Sequence, residues 1–150
     1  MRLALRYLLW ISLMAVCAAK MYAQSQLPPS EGDRMRYHAT IELPKGYLSG
    51  VCVLLREEAV LKGSFFNEFG ISYMDFTYNV AKDKVKLHSV QSMLDKWYIR
   101  KMLRHDLRML MHAMEDGVGE YTNNKRKMTY RFSLMQEDEP VNANDDDTEE

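Results

Sequence analysis

The stretch Ala59-Val60-Leu61-Lys62-Gly63-Ser64-Phe65-Phe66-Asn67-Glu68-Phe69-Gly70-Ile71-Ser72-Tyr73-Met74-Asp75-Phe76-Thr77-Tyr78-Asn79 decides the fold. Two runs rich in β-branched and aromatic residues, Ala59–Phe66 and Ile71–Asn79, flank the short polar connection Asn67–Gly70. Parallel strands need a crossover of about a dozen residues, so a link this short joins antiparallel neighbours. The same logic extends upstream. Arg34–Leu43 alternates around Met35, Tyr37, Ala39 and Ile41, as a strand with one buried face does, and Pro44-Lys45-Gly46 turns the chain. Tyr47–Arg56 is apolar on both faces from Val51 to Leu55, which predicts a central or doubly covered strand, and Glu57-Glu58 leads into the third. Downstream, Lys82-Asp83-Lys84 predicts a hairpin turn before Val85, Leu87 and Val90. The spacing predicts an antiparallel meander.

The period then changes. Ile99, Leu103, Leu107, Leu110 and Met114 recur every three or four residues, the stripe of one long amphipathic helix. Ser92 and Asp95 have the spacing of a capping box at its start, and Gly117 ends it. Tyr121–Lys125 reads as a loop. Lys127–Met135 alternates again through Met128, Tyr130, Phe132 and Leu134. The predicted fold class is α+β: an antiparallel meander forming an incomplete or half barrel, with one long helix packed against it.

Residues 1–23 predict a secretory signal peptide: Arg2 and Arg6 precede an apolar run from Tyr7 to Ala19, and Ala23 is a reasonable cleavage point. The run is short for a membrane span, so the mature chain is expected to carry none. The expected location is exported, most simply periplasmic. Lipid anchoring through Cys17 is disfavoured by Val16, which stands where a small residue is expected. Residues 24–33 form a polar lead-in, 34–136 a single domain, and 137–150 an acidic disordered tail. Of the two cysteines only Cys52 would remain after cleavage; its apolar neighbours predict a buried thiol, with pairing between chains as the alternative. The chain has 20 basic and 21 acidic side chains, but eight acids lie in 137–150, leaving 24–136 with 17 basic and 13 acidic residues. A mildly basic body suits an anionic partner, although ordinary surface lysines account for it equally well.

Signatures of catalysis are sparse. His38, His88, His105 and His112 stand without an acidic or cysteine ligand at metal spacing, so no metal and no cofactor is expected. Asp75 and Asp106 are carboxylates that nothing in the sequence brings together. There is no Gly-x-Ser-x-Gly elbow and no phosphate-cradling glycine loop; Gly46-Tyr47-Leu48-Ser49-Gly50 suits a turn and close backbone packing. The expected activity is binding rather than catalysis. The alternation Lys127-Met128-Thr129-Tyr130-Arg131-Phe132 suits base stacking on an exposed sheet, but export argues against nucleic acid as a partner. Lys96-Trp97-Tyr98-Ile99-Arg100-Lys101 is a better candidate for a membrane surface, though Trp97 and Tyr98 would serve equally to brace the helix against the sheet.

From Leu61-Lys62-Gly63 through Phe69-Gly70-Ile71, Met74-Asp75-Phe76-Thr77-Tyr78-Asn79 and Val85-Lys86-Leu87 to Leu94-Asp95-Lys96-Trp97-Tyr98, the chain resembles small exported Bacteroidetes proteins related to the outer-membrane lipoprotein localisation factors, the LolA/LolB-like superfamily. The resemblance covers about half the chain, roughly Tyr47 to Met111. It implies an incompletely closed antiparallel barrel with a helix as lid or plug over an apolar cavity that holds lipoprotein acyl chains. It also implies an outer-membrane partner. Together the two lines predict a carrier-like protein that sequesters a lipid, an acylated protein or an apolar peptide. Val51, Val53, Phe65, Phe76, Tyr78 and Leu103 are the expected cavity lining, and Lys96, Trp97, Arg100, Arg104 and Arg108 the expected anion or membrane-surface contacts. The competing expectation is a structural or protein-interaction domain whose apolar residues are all consumed by its core.

Overall fold

The computed structural model describes residues 24–136. The expected signal peptide, Cys17 and the acidic residues 137–150 lie outside these residues. Five strands follow one another as a meander: β1 (Arg34–Leu43), β2 (Gly46–Glu57), β3 (Val60–Phe66), β4 (Ser72–Asn79) and β5 (Lys84–Val90). Helix α1 (Trp97–Glu115) comes next, then β6 (Glu120–Asn123) and β7 (Met128–Leu134). The seven strands form one antiparallel sheet in the order β5-β4-β3-β2-β1-β7-β6, curled into a half barrel with α1 packed against it. The predicted fold class is therefore the one observed.

Two local expectations need correction. Ser92 and Asp95 form no capping box: Asp95 donates its backbone amide to the Ser92 carbonyl at 3.3 Å, and its carboxylate takes Arg100 at 2.6 Å. The helix starts two residues beyond Asp95, with Lys96 as N-cap and no side-chain cap. The second correction is β6, a strand where a loop was predicted. Its pairing with β7 runs Glu120↔Arg131 to Asn123↔Met128, and β7 in turn pairs with β1 from Tyr37↔Leu134 to Glu42↔Thr129. The helix end is as predicted. Gly117 has φ 83°, its amide reaches the Met114 carbonyl at 3.1 Å, and the Val118 amide reaches Ala113 at 2.8 Å. This paired closure satisfies the last carbonyls of a helix and favours glycine at the left-handed position.

Alternation decides the two faces. Tyr37, Ala39, Ile41, Cys52, Leu54 and Leu61 turn inward with Phe65, Met74, Phe76 and Tyr78. They meet Leu103, Leu107, Leu110, Met111 and Met114 of α1 in one core. Burying a single leucine or phenylalanine this way stabilises by roughly 1.5–3 kcal/mol. Cys52 is a free, wholly buried thiol, and burial pushes its pKa up, which makes it a packing residue rather than a nucleophile. β2 is central, as its two-sided apolarity predicted. Val51, Val53 and Leu55 lie half-buried on its outer face, between His38, Arg36 and Arg34 on β1 and Phe66, Ser64 and Lys62 on β3. Gly50 shows the close packing expected of it: a Cβ there would lie 2.0 Å from the Phe66 carbonyl oxygen.

The lead-in is tied to the core by its backbone. Leu27 is buried, the Gln26 amide donates to the Met114 carbonyl at 2.8 Å, and the Arg56 Nε donates to the Pro28 carbonyl at 2.6 Å. The buried Tyr37 hydroxyl donates to the Gln26 carbonyl.

Candidate functional site

The six residues expected to line a cavity are split by the sheet. Phe65, Phe76, Tyr78 and Leu103 are each 2 % exposed or less and belong to the packed core. Val51 and Val53 face the other way, half-buried on the outer surface of β2. Helix α1 fills the hollow of the half barrel with Leu103, Leu107 and Leu110, so the hollow is core rather than vacancy. Val51 borders a groove of about 600 Å³ shared with His38, Tyr47, Gly50, Phe69 and Tyr73.

That groove runs over the outer face of β1 and β2, from His38 and Val51 to the β3–β4 loop at one end of the half barrel, and topology explains what collects at that end. Antiparallel pairing brings together the β1–β2 turn, the β3–β4 loop, the β5–α1 connection and the β6–β7 turn. Tyr47 at the start of β2, Phe69 and Ile71 on the β3–β4 loop, Met93 on the β5–α1 connection, and Trp97 and Tyr98 on the first turn of α1 are all exposed at this end. Phe69 is 81 % exposed, Trp97 78 % and Tyr47 71 %. Scattered exposed apolar residues are ordinary; six large ones on one rim are a patch. A second groove of about 520 Å³ opens on the same rim, between α1 and the β6–β7 turn. Its walls are Trp97, Tyr98, Lys101, Met102, Lys125 and Arg126, with the Trp97 and Tyr98 rings edge-to-face at 5.9 Å.

Asp106 lies at the bottom of this second groove and is wholly buried. Its Oδ2 accepts from the Tyr130 hydroxyl at 2.8 Å, its Oδ1 from Asn123 Nδ2 at 2.9 Å, and His105 Nδ1 is 3.2 Å from Oδ1. Burial raises the Tyr130 pKa, and the Asp106 charge and hydrogen bond raise it further. The group therefore locks α1 to β6 and β7. Asp75 is on the outer face of β4, accepting from Ser64 at 2.7 Å, as an anchoring role requires. The sheet thus separates the two carboxylates, which form no acid–base pair. Among the described residues no group of three or more His, Cys, Asp or Glu converges on a point where a metal ion would sit.

The expected surface contacts are likewise divided. Trp97 is on the rim and Lys96 and Arg104 are exposed, but Arg100 is engaged by Asp95 at 2.6 Å and Arg108 by Asp83 at 3.5 Å. Arg108 belongs to a clasp at the opposite end of the helix. There Asp83, on the β4–β5 turn with φ 48°, lies 2.5 Å from His112 Nε2 and accepts from the Tyr78 hydroxyl at 3.0 Å. The His112 hydrogen bond is the chief cause holding the Asp83 carboxyl below its usual range, while burial, helped by Asp83, pushes Tyr78 up to about 12. Lys101 ends the stretch marked as a membrane-surface candidate, but Lys125 and Arg126 went unmarked in the sequence because the β6–β7 turn approaches α1 only in the fold. Tyr130 and Phe132 are buried, so β7 offers no aromatic face on which bases would stack. No helix among the described residues is long and apolar enough to cross a membrane. The chain matches no family model, no curated protein and no solved structure.

Proposed function

We propose that the protein is an exported, non-catalytic binding domain that takes an acyl chain or apolar peptide on its rim rather than inside its curved sheet. The observation carrying this reading is the contrast between a hollow filled by Phe65, Phe76, Tyr78 and Leu103 and a rim groove bordered by Tyr47, Val51, Phe69 and Tyr73. Binding sites are concave, mainly apolar and supplied with a few polar groups, and His38, Ser49 and Asn67 fill that last role here. The resemblance of its sequence order to lipoprotein localisation factors supports an acyl chain as the apolar moiety.

Native mass spectrometry on protein purified without detergent from its exported compartment, followed by lipid extraction, tests this. A stoichiometric acyl or peptide adduct that is lost in Tyr47→Ser/Phe69→Ser is the expected result. An apo mass, with no uptake of offered lipids or acylated peptides, refutes ligand binding. That outcome leaves the second reading, an interaction domain whose apolar interior serves only its own packing, which the filled hollow favours.

A further inference from the structure

The same rim is also basic. Lys45 lies on the β1–β2 turn, Lys96 and Lys101 at the start of α1, and Lys125, Arg126 and Lys127 on the β6–β7 turn. All six are exposed, and none is ion-paired among the described residues. Against them the rim has Glu68, Asp95, which is engaged by Arg100, Glu42, which is engaged by Arg131, and the buried Asp106 at the bottom of the second groove. The opposite end is mixed: Asp33, Glu57, Glu58, Asp83, Glu115 and Asp116 stand among Arg34, Arg56, Lys62, Lys82, Lys84 and Arg108. The positive excess therefore lies at the rim, the end that also has the exposed aromatic residues.

We propose that this rim docks on the surface of an anionic phospholipid bilayer. Three features select that partner. Tryptophan and tyrosine favour the headgroup depth of a membrane, where one side of the ring is apolar and the other wet. Lysine and arginine beside them meet lipid phosphates while their methylene stems cover apolar surface. The positive excess at this end turns the rim toward a negative surface, so encounter and final orientation agree. The groove sets the apolar Trp97, Tyr98 and Met102 beside the cationic Lys101, Lys125 and Arg126 at its mouth, above the buried Asp106 that Tyr130 and Asn123 hold, as one phosphate-bearing headgroup and the start of its acyl chain require. This docking stands whether or not the neighbouring groove at Phe69 holds a ligand.

The fluorescence of Trp97 tests it. The full chain has two tryptophans, so Trp10→Phe leaves Trp97 as the sole reporter. This protein is titrated with vesicles of phosphatidylcholine alone and of phosphatidylcholine with phosphatidylglycerol in equal parts. Trp97 emission is expected to move to shorter wavelength on the anionic vesicles only. Neutralising three charges in Lys101→Gln/Lys125→Gln/Arg126→Gln is expected to weaken that response about 100-fold, or about 5-fold per charge. Leu134→Ser, at the far end of β7, leaves it unchanged. An unshifted Trp97, an equal shift on neutral vesicles, or full affinity in the triple variant overturns the proposal. Because the reporter is on the rim, attachment through another segment does not mimic the result. An acyl adduct in the mass spectrum without a Trp97 response removes the docking and leaves ligand binding intact.

Discussion

Tyr130→Phe separates a structural Asp106 from a chemical one. The substitution removes one oxygen and leaves the ring in place, and that oxygen is the partner of Asp106 Oδ2 at 2.8 Å. Asn123 and His105 both address Oδ1, so Oδ2 is left without a donor in a residue that is 0 % exposed. An orphaned buried acceptor costs about 1–3 kcal/mol, and a value of about 2 kcal/mol is expected here. For a domain of this size that corresponds to a fall in Tm of about 8 °C, at roughly 4 °C per kcal/mol. Thermal unfolding followed by circular dichroism measures it, with Tyr121→Phe as the control expected to stay within about 0.5 kcal/mol. In an Asp106→Leu background Tyr130→Phe should cost nothing or stabilise, because the hydroxyl has by then lost its acceptor. A Tyr130→Phe variant as stable as the parent, or an equal loss in the Asp106→Leu background, would refute the claim that this bond locks α1 to β7.

Two further outcomes follow from close contacts. Gly50→Ala brings a Cβ against the Phe66 carbonyl, which is backbone and cannot rotate away, so β2 and β3 must part. A loss of about 3 kcal/mol is expected in urea unfolding, and a loss below about 0.5 kcal/mol would show that the strands tolerate the extra atom. At the other end of α1, the folded-state pKa of Asp83 is lowered, chiefly by the His112 hydrogen bond, with Tyr78 and Arg108 adding to it and desolvation opposing. A lowered carboxylate contributes stability that is present above its unfolded value of about 3.9 and disappears as pH falls through the folded value. Asp83→Asn, which tolerates the left-handed backbone, should flatten the decline of Tm in that acid window; an unchanged slope would exclude the clasp as its source.

What was legible in the sequence follows the range of the interaction that decides it. The meander was legible because β1 to β5 pair with sequence neighbours, and links as short as Asn67–Gly70 admit one topology. The end of α1 was legible because a glycine in the left-handed region is a local requirement. β6 was missed because Glu120-Tyr121-Thr122-Asn123 is too short to establish a period, and its evidence is the register with β7. The capping box failed because the spacing was right while the Asp95 carboxylate had a stronger partner in Arg100. Asp106 falls on the buried stripe between Leu103 and Leu107, and its donors come from Asn123 and Tyr130 on other strands. No helical pattern announces those partners.

The rim is a still longer-range case, and it has a topological origin. Tyr47 follows the β1–β2 turn, Phe69 stands on the β3–β4 loop and Trp97 opens α1, and each read alone is an apolar residue in or beside a turn. A meander returns every second connection to the same end. The β1–β2, β3–β4 and β5–α1 links must therefore share a rim whatever residues they contain. Placing β7 beside β1 adds the β6–β7 turn, with Lys125, Arg126 and Lys127, to that same end. The packing of α1 inside the half barrel supplies the other half of the reasoning. With Phe76 and Leu103 consumed by the core, exposed apolar surface for a partner is concentrated where the connections leave the sheet. A fold that fills its own hollow in this way shifts recognition from the depth of the sheet to the composition of its turns.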